Sequence, residues 1–287
     1  MRKLRRKITY YNLNIYPDLY RPTSKPFISG DTFRDYSDHI FDETKGFDSL
    51  KVKRNDVVFL KSDFIDIYFK YFHPKIIEPY ILLTHNSDFI LKEEHTSYKD
   101  DMIIHWFAQN LAFVSDDNFS LLPIGLENKR YLTNGVLTNF KGYSNQKKTK
   151  HILCSFNKNT HPERTEVLSI IKNNGYVDIS NFGTPKEYVK NLSKYKFSIC
   201  PRGNGSDTHR FWESLMVGTF PIVAKTPFTK NLESMGIPAL YLDNWSDLNH
   251  YNSQDLNELF IELKKRNLYE YLLFEFWKKN INEKTLS

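Results

Sequence analysis

The residues best suited to chemistry lie in one short segment, Cys200–Gly218 (CPRGNGSDTHRFWESLMVG). It places Arg202, His209 and Arg210 around the predicted start of a helix. A cation near a helix N-terminus is disfavoured by about 0.3–1 kcal/mol, and an anion is favoured by a similar amount. An arginine fork also fits a phosphate with two hydrogen bonds. The segment therefore predicts a phosphate or pyrophosphate site; the alternative is that the arginines pair with carboxylates of another domain.

The glycines of this segment limit the kind of phosphate site. Gly203 and Gly205 allow the backbone to approach a ligand closely. The third glycine of a dinucleotide fingerprint is replaced by Thr208, which disfavours an NAD-type site. Asp207 is the predicted N-cap of the helix and the one carboxylate in the loop that offsets the cations.

One acidic residue follows within the helix. Arg210 and Glu213 are three positions apart and share a face, while Phe211 and Leu215 are expected to face the sheet. Glu213 is thus placed to accept hydrogen bonds from ribose hydroxyls, as acidic residues do in other nucleotide sites. The alternative is an ordinary ion pair within the helix.

These residues are positioned by a regular alternation of strands and helices in the C-terminal half. Strands are predicted over 151–156, 176–180, 196–200 and 220–224, with helices that start at the capping boxes Thr160–Glu163 and Thr184–Glu187 and over 208–217. Such alternation indicates a parallel sheet in a Rossmann-like domain. Ligands bind at the carboxyl ends of such strands, where the loop Ser155–Arg164 also lies.

The N-terminal half is less regular but similar in kind. Apolar runs over 56–61 and 80–84 predict buried parallel strands, and 102–107 and 120–124 are weaker strand candidates. The polar stretch Asn139–Lys150 marks a break between domains. We therefore expect an N-terminal domain over 1–140, a linker over 141–150 and a C-terminal domain over 151–287. Segment 255–279 predicts two amphipathic helices separated near Asn267, the last with the option of packing back on the N-terminal domain.

The amino-acid composition limits the classes of protein to which the chain can belong. The chain has 287 residues, 40% hydrophobic and 26% charged, which excludes disordered, collagen-like and coiled-coil proteins. Its net charge of +6 suits an anionic partner and leaves nucleotide, nucleic acid and anionic lipid open. Cys154 and Cys200 lie in apolar runs and are expected to be buried thiols in a reducing compartment.

We expect a soluble, cytoplasmic protein, because no run approaches the roughly 18 apolar residues of a membrane span and no signal-peptide core follows Met1–Lys7. That basic arm is compatible with peripheral membrane contact. A solvated tail is the simpler interpretation, and we assign the arm no function.

The segment CPRGNGSDTHRFWESLMVGTFPIV resembles the signature of the exostosin-like glycosyltransferases, glycosyltransferase family 47. The match is dense over these residues and looser over 152–243. The resemblance implies a minimal, soluble member with two Rossmann-like domains facing across a cleft, the GT-B type architecture. It also implies a nucleotide-sugar donor, usually UDP-linked, and transfer to a glycan hydroxyl with inversion at the anomeric carbon. Xylose, glucuronic acid, galactose, arabinose and N-acetylglucosamine all occur as the transferred sugar in that family.

The resemblance also assigns roles to residues. Arg202 and the loop backbone hold the diphosphate with Arg210, and Glu213 holds the ribose. Further candidates for the diphosphate are Asn157, Lys158 and Arg164, from the loop at the same sheet edge. The loop residues assigned to the donor are Gly203, Asn204, Gly205, Ser206 and Asp207.

Inverting transfer needs a base for the acceptor hydroxyl and positive charge for the leaving diphosphate. The base is expected at the end of strand 80–84, first Asp88 and then His85, although a helix cap and a loop histidine are the plainer interpretations of these two residues. Asp63 is a third candidate, with the N-cap of a helix from Phe64 as its more ordinary role. The sequence contains no Asp-x-Asp and no zinc spacing, so we expect arginines to replace a metal and no cofactor besides the donor.

Two other functions stay open from the sequence. A nucleotide-binding hydrolase or another transferase would use the same phosphate site for different chemistry. A basic nucleic-acid-binding protein would bind with a steep salt dependence. No recognition helix or RNA-binding motif supports the second, so we expect a nucleotide sugar and a glycan, and no nucleic acid, as partners.

Overall fold

A computed structural model describes residues 20–44, 46–144 and 146–285. The described chain forms two compact units: 20–135 together with 273–285, and 136–272. The basic arm Met1–Lys7 lies outside the described residues. None of the described helices is both long enough and apolar enough to cross a bilayer.

The first unit contains a parallel sheet of five strands in the order in which they occur along the chain. These are β1 (His39–Phe41), β2 (Val57–Lys61), β3 (Tyr80–His85), β4 (Ile103–Ala108) and β5 (Phe119–Leu121). Helix α1 (Gly30–Tyr36) precedes the sheet and α2 (Ile65–Tyr71) connects β2 to β3. The two apolar runs predicted as buried strands are confirmed in β2 and β3, and every residue of β3 is buried.

Sequential strand order explains how the two faces of this sheet are covered. Parallel crossovers are right-handed in nearly all cases, so a sheet in sequential order places its connections on one face. The other face is covered by α1 and by the C-terminal helix of the chain. Phe33 of α1 packs on His85 at 5.5 Å between ring centroids and on Phe274 of the C-terminal helix (Phe274–Glu283) at 5.6 Å. The backbone N–H of Phe274 also donates to the carbonyl of Pro26 at 2.8 Å.

The second unit contains a parallel sheet in the order β10-β9-β8-β6-β7. Its strands are β6 (Lys150–Cys154), β7 (Val177–Ile179), β8 (Tyr195–Ile199), β9 (Phe220–Ala224) and β10 (Leu240–Leu242). Its helices are α3 (Pro162–Ile171), α4 (Pro185–Leu192), α5 (His209–Met216), α6 (Pro227–Ser234), α7 (Ser253–Leu263) and α8 (Tyr269–Leu272). Both units are thus α/β and Rossmann-like, as predicted.

The strand order of the second unit creates a switch point. From β6 the chain moves outward to β7 and then returns past β6 to β8, so β6 and β8 are neighbours whose connections run in opposite directions. Ligands of doubly wound sheets bind in the crevice outside the carboxyl ends of such a pair of strands. In this unit those ends lead into Ser155 and Cys200.

Residues 141–150, which we expected to form a linker, fall within the second unit. The ammonium of Lys148 shows why this segment does not act as a spacer. It donates to the carbonyls of Ser193 at 2.8 Å and Val217 at 2.6 Å and to the hydroxyl of Thr219 at 3.1 Å.

Two predicted helix starts are corrected by the structure. At α3 the N-cap is His161 rather than Thr160, because the His161 ring accepts the Glu163 N–H at 3.3 Å. At α5 the N-cap is Thr208 rather than Asp207, because the Asp207 carboxylate accepts from the Thr208 N–H at 2.7 Å and the Trp212 indole at 3.0 Å. The box at Thr184 is confirmed, with reciprocal hydrogen bonds to Glu187.

Two further local predictions are wrong. Segment 255–279 contains parts of α7, α8 and the C-terminal helix rather than two helices. Asp63 does not cap a helix, since α2 has Phe64 as its N-cap and Asp63 accepts from the hydroxyl of Ser87 at 2.5 Å. Both cysteines are buried free thiols, as predicted.

Candidate functional site

The candidate site lies in the second unit, where the loops after β6 and β8 meet the start of α5. Arg164, from the first turn of α3, joins the two loops. Its Nε donates to the carbonyl of Arg202 at 2.8 Å and its Nη1 to the carbonyl of Asn157 at 3.0 Å. The residue is 6% exposed, so its charge is held inside the protein.

A second guanidinium approaches the same place from α5. Arg210 donates from Nε to the carbonyl of Ser155 at 2.8 Å. Its guanidinium carbon is 5.8 Å from the centroid of the Phe156 ring, and that of Arg164 is 5.5 Å from the same centroid. Both guanidinium groups thus lie against the same phenyl ring, where cation–π attraction stabilises them. We call Arg164, Arg210 and Phe156 the arginine cradle.

The guanidinium groups of the cradle donate to backbone carbonyls rather than to carboxylates. Among the residues that the structure describes, neither Arg164 nor Arg210 forms an ion pair with a carboxylate. Burial, together with the nearby charge of Arg210, lowers the pKa of Arg164 to about 10. Two neighbouring cations, Arg164 buried and Arg210 half-buried, favour a bound anion, which would offset their repulsion and supply hydrogen-bond acceptors.

The alternative to the predicted role of Glu213, an ion pair with Arg210 within the helix, is not among the ion pairs of the described residues, and Arg210 donates to the carbonyl of Ser155. Glu213 is buried at 6% exposure, one turn after Arg210 on α5. Phe211 and Leu215 are buried as expected, at 2% and 1% exposure. The carboxylate of Glu213 is therefore held close to the cradle on the same helix.

The loop after β8 is shaped by close packing. A Cβ on Gly203 would lie 3.2 Å from Nη2 of Arg164, so the glycine allows that guanidinium to rest against the loop. Within the described chain, the N–H groups of Gly203, Gly205 and Ser206 make no hydrogen bond to a backbone carbonyl. Amides of this kind next to a helix N-terminus are suited to an anion.

The other residues predicted for this site have more peripheral places. Arg202 is half-buried and donates to the carbonyls of Gly203 at 3.4 Å and Asn204 at 3.1 Å, so it braces its own loop. The side chain of Asn157 accepts from the N–H of Asn159 at 3.0 Å. Lys158 and Asn204 are exposed, and Asp207 is buried against Trp212.

The predicted bases lie at the end of β3 in the first unit. His85 is 1% exposed; its Nδ1 accepts the Asn86 N–H at 2.7 Å and its Nε2 donates to the carbonyl of Pro123 at 3.0 Å. Asp88 is exposed and follows two residues after Asn86. Asp63 is half exposed and also lies 3.3 Å from the ammonium of Lys61.

Sequence analysis missed the aromatic part of this site. Phe156 was expected only as the end of a strand. The available signal for Phe156 was its place directly after β6, one residue before Asn157. No group of three or more histidine, cysteine or acidic residues able to hold a metal ion occurs in the described part of the chain.

No protein-family model and no curated protein matches this sequence. Among solved structures, the chain is similar to a crystal structure of a GtfA/B complex, at 11% identity and a TM-score of 0.41, over 83% of this chain and 59% of that chain. The chain thus spans about three fifths of that relative's length. It is also similar to a crystal structure of an α1,3-fucosyltransferase, at 11% identity and a TM-score of 0.43, over 94% of this chain and 96% of that chain.

Proposed function

We propose that the second unit binds the diphosphate of a nucleotide sugar and that the protein is a glycosyltransferase. The observation that carries the proposal is the arginine cradle: two guanidinium groups on one phenyl ring, at the switch point of the sheet, without a carboxylate partner among the described residues. A diphosphate brings several negative oxygens, which suit two arginine forks and the amides of the adjacent loop.

The cradle also supports a mechanism. When the anomeric carbon–oxygen bond breaks, negative charge develops on the leaving nucleoside diphosphate. Arg164 and Arg210 are already fixed by carbonyl hydrogen bonds, so they stabilise this charge without reorganising. In this proposal the two guanidinium groups provide the charge that a metal ion provides elsewhere, and transfer proceeds without a metal.

Glu213 is the proposed partner of the ribose hydroxyls. It lies on the same helix as Arg210 and is held close to the cradle, which fits a ribose next to the diphosphate. The resemblance of Cys200–Val223 to the exostosin-like signature supports a UDP-linked donor. Xylose, glucuronic acid, galactose and N-acetylglucosamine are the proposed candidates for the sugar, and a glycan hydroxyl is the proposed acceptor.

Asp88 is the proposed general base. An acceptor hydroxyl oxygen attacks the anomeric carbon, the bond to the diphosphate breaks, Asp88 takes the hydroxyl proton, and the configuration inverts. His85 suits this role less well, because it is buried and both ring nitrogens are hydrogen-bonded. Asp63 also suits this role less well, because its carboxylate already contacts the hydroxyl of Ser87 and the ammonium of Lys61.

Calorimetry in the presence of EDTA tests the donor site. UDP, GDP, CMP, ADP and UDP-sugars are titrated into the wild type, Arg210→Gln, Arg164→Gln and Glu213→Gln, with Lys172→Gln, at the other end of α3 from Arg164, as the control for an exposed cation of the same unit. We expect UDP to bind, the two arginine variants to lose about 1.5–3 kcal/mol each, and the control to match the wild type.

Two results would contradict the proposal. Absence of nucleotide binding would remove the donor site. Binding that ignores base and ribose identity and falls steeply with salt would instead favour a nucleic-acid partner.

A further inference from the structure

Tyr188, on α4, has a buried hydroxyl with an unusual environment. Among the described residues no group accepts the proton of this hydroxyl, although the oxygen is shielded from solvent. The Tyr188 ring lies 6.2 Å from the ring of Phe182, centroid to centroid. Buried polar groups are nearly always hydrogen-bonded, so a hydroxyl proton without an acceptor points to a missing partner such as a ligand or a water molecule.

The missing partner must be an acceptor. The hydroxyl lies beside Arg210, whose charge acts on it together with the charge of Glu213. A guanidinium has five N–H donors and no acceptor, so Arg210 can donate to the phenol oxygen but cannot receive its proton. Burial raises the pKa of Tyr188, which keeps the hydroxyl protonated at neutral pH. Two donors, the phenol and the guanidinium, thus stand side by side.

We propose that Tyr188 is a further ligand of the anion in the arginine cradle, its hydroxyl donating to an oxygen of the bound diphosphate next to Arg210. An anion oxygen at this place would accept from both donors at once. The inference rests on the proposed function, because it assigns one more contact to the same diphosphate.

Tyr188→Phe tests the inference with two measurements that have opposite expected signs. Removing a hydroxyl whose proton has no acceptor in the ligand-free protein should leave the melting temperature unchanged or raise it. The same change should weaken the binding of inorganic pyrophosphate by about tenfold or more, the loss expected for one hydrogen bond to a charged group. Tyr176→Phe is the matched control, since Tyr176 is 38% exposed in the same unit.

NMR spectroscopy of the wild type provides a second, independent test. With tyrosine labelled at the ring carbon that bears the hydroxyl, the Tyr188 resonance is assigned by its loss in Tyr188→Phe. We expect this resonance to shift when pyrophosphate is added.

The outcomes separate this inference from the proposed function. If the wild type binds pyrophosphate and Tyr188→Phe binds it equally well, the Tyr188 inference alone is overturned. A lower melting temperature of Tyr188→Phe without ligand, with unchanged affinity, would show a structural hydroxyl and overturn it as well. If the wild type binds neither pyrophosphate nor a nucleoside diphosphate, the proposed function fails and the Tyr188 contact fails with it.

Discussion

Arg164 and Arg210 reach the same phenyl ring from two different helices, with guanidinium carbons 5.5 and 5.8 Å from the centroid of Phe156. Each is fixed by hydrogen bonds to carbonyls of the loops at the switch point. The protein therefore holds two like charges together before any ligand arrives. Repulsion between these charges destabilises the ligand-free folded protein, and a bound anion stabilises it.

This relationship predicts strong stabilisation by a multivalent anion. At a concentration of about 100 times its dissociation constant, pyrophosphate should stabilise the folded chain by about 2.7 kcal/mol and raise the melting temperature by roughly 5–10 °C. Differential scanning fluorimetry with pyrophosphate, and with sodium chloride at equal ionic strength as the control, measures the effect. Equal shifts from both salts would mean that only general screening acts on the cradle.

Gly203→Ala should impair the cradle without damaging the fold. The new Cβ would stand 3.2 Å from Nη2 of Arg164, and the guanidinium would have to move, while the backbone of Gly203 is outside the left-handed region and tolerates alanine. We expect diphosphate affinity to fall by on the order of 1 kcal/mol, about fivefold, at an unchanged melting temperature.

Gly183→Ala is the matched control for this change. Its Cβ would also meet a side-chain atom at 3.2 Å, but that atom is a carboxylate oxygen of Glu187, which belongs to the capping box of α4 rather than to the cradle. A loss of affinity of the same size in both variants would contradict the role given to Gly203.

Phe274→Ala should act on the first unit alone. Phe274 is 3% exposed and packs on Phe33, so the C-terminal helix covers a sheet face that the crossovers leave open. Truncation of such a buried aromatic costs about 3–5 kcal/mol. We expect an early unfolding transition for the first unit and unchanged nucleotide binding by the second, with the exposed Glu275→Ala as the control. A single transition shifted as a whole would contradict two units of separate stability.

The alternation of strands and helices could be predicted from the sequence because it depends on local patterns. Buried runs such as Tyr80–Thr84 and the capping box at Thr184 can be recognised from the residues of the segment alone. The N-cap of α5 cannot: Asp207 was predicted there, whereas Thr208 is the N-cap and Asp207 accepts from the indole of Trp212. Which residue becomes the N-cap depends on packing within α5, and residue spacing gives no information about that packing.

Only part of the site could be predicted, because residue spacing does not reveal strand order or packing. Arg164 and Arg210 were recognisable as cations at helix starts, whereas their shared contact with Phe156 depends on strand order in the sheet. The C-terminal helix was likewise recognisable as amphipathic, but a hydrophobic face does not identify the surface that it covers.

Lys148 predicts a dependence of stability on pH. Its ammonium binds the carbonyls of Ser193 and Val217, the C-cap residues of α4 and α5, so one side chain serves two helix ends. Burial lowers the pKa of Lys148 from 10.5 to about 7, with a smaller contribution from Lys264. Between these two values the folded protein binds fewer protons than the unfolded chain. Its stability should therefore rise with pH in that window, by at most about 1.4 kcal/mol per pH unit.

Lys148→Met tests both consequences. The variant leaves two carbonyls and a hydroxyl without their donor, which should lower the free energy of unfolding by about 2 kcal/mol or more at neutral pH. It should also remove the rise between about pH 7 and 10. Urea unfolding across this range, with the exposed Lys158→Met as the control, measures both effects. If the slope persists in Lys148→Met, another group titrates in the window, and the ammonium of Lys148 stays charged because the helix ends stabilise it.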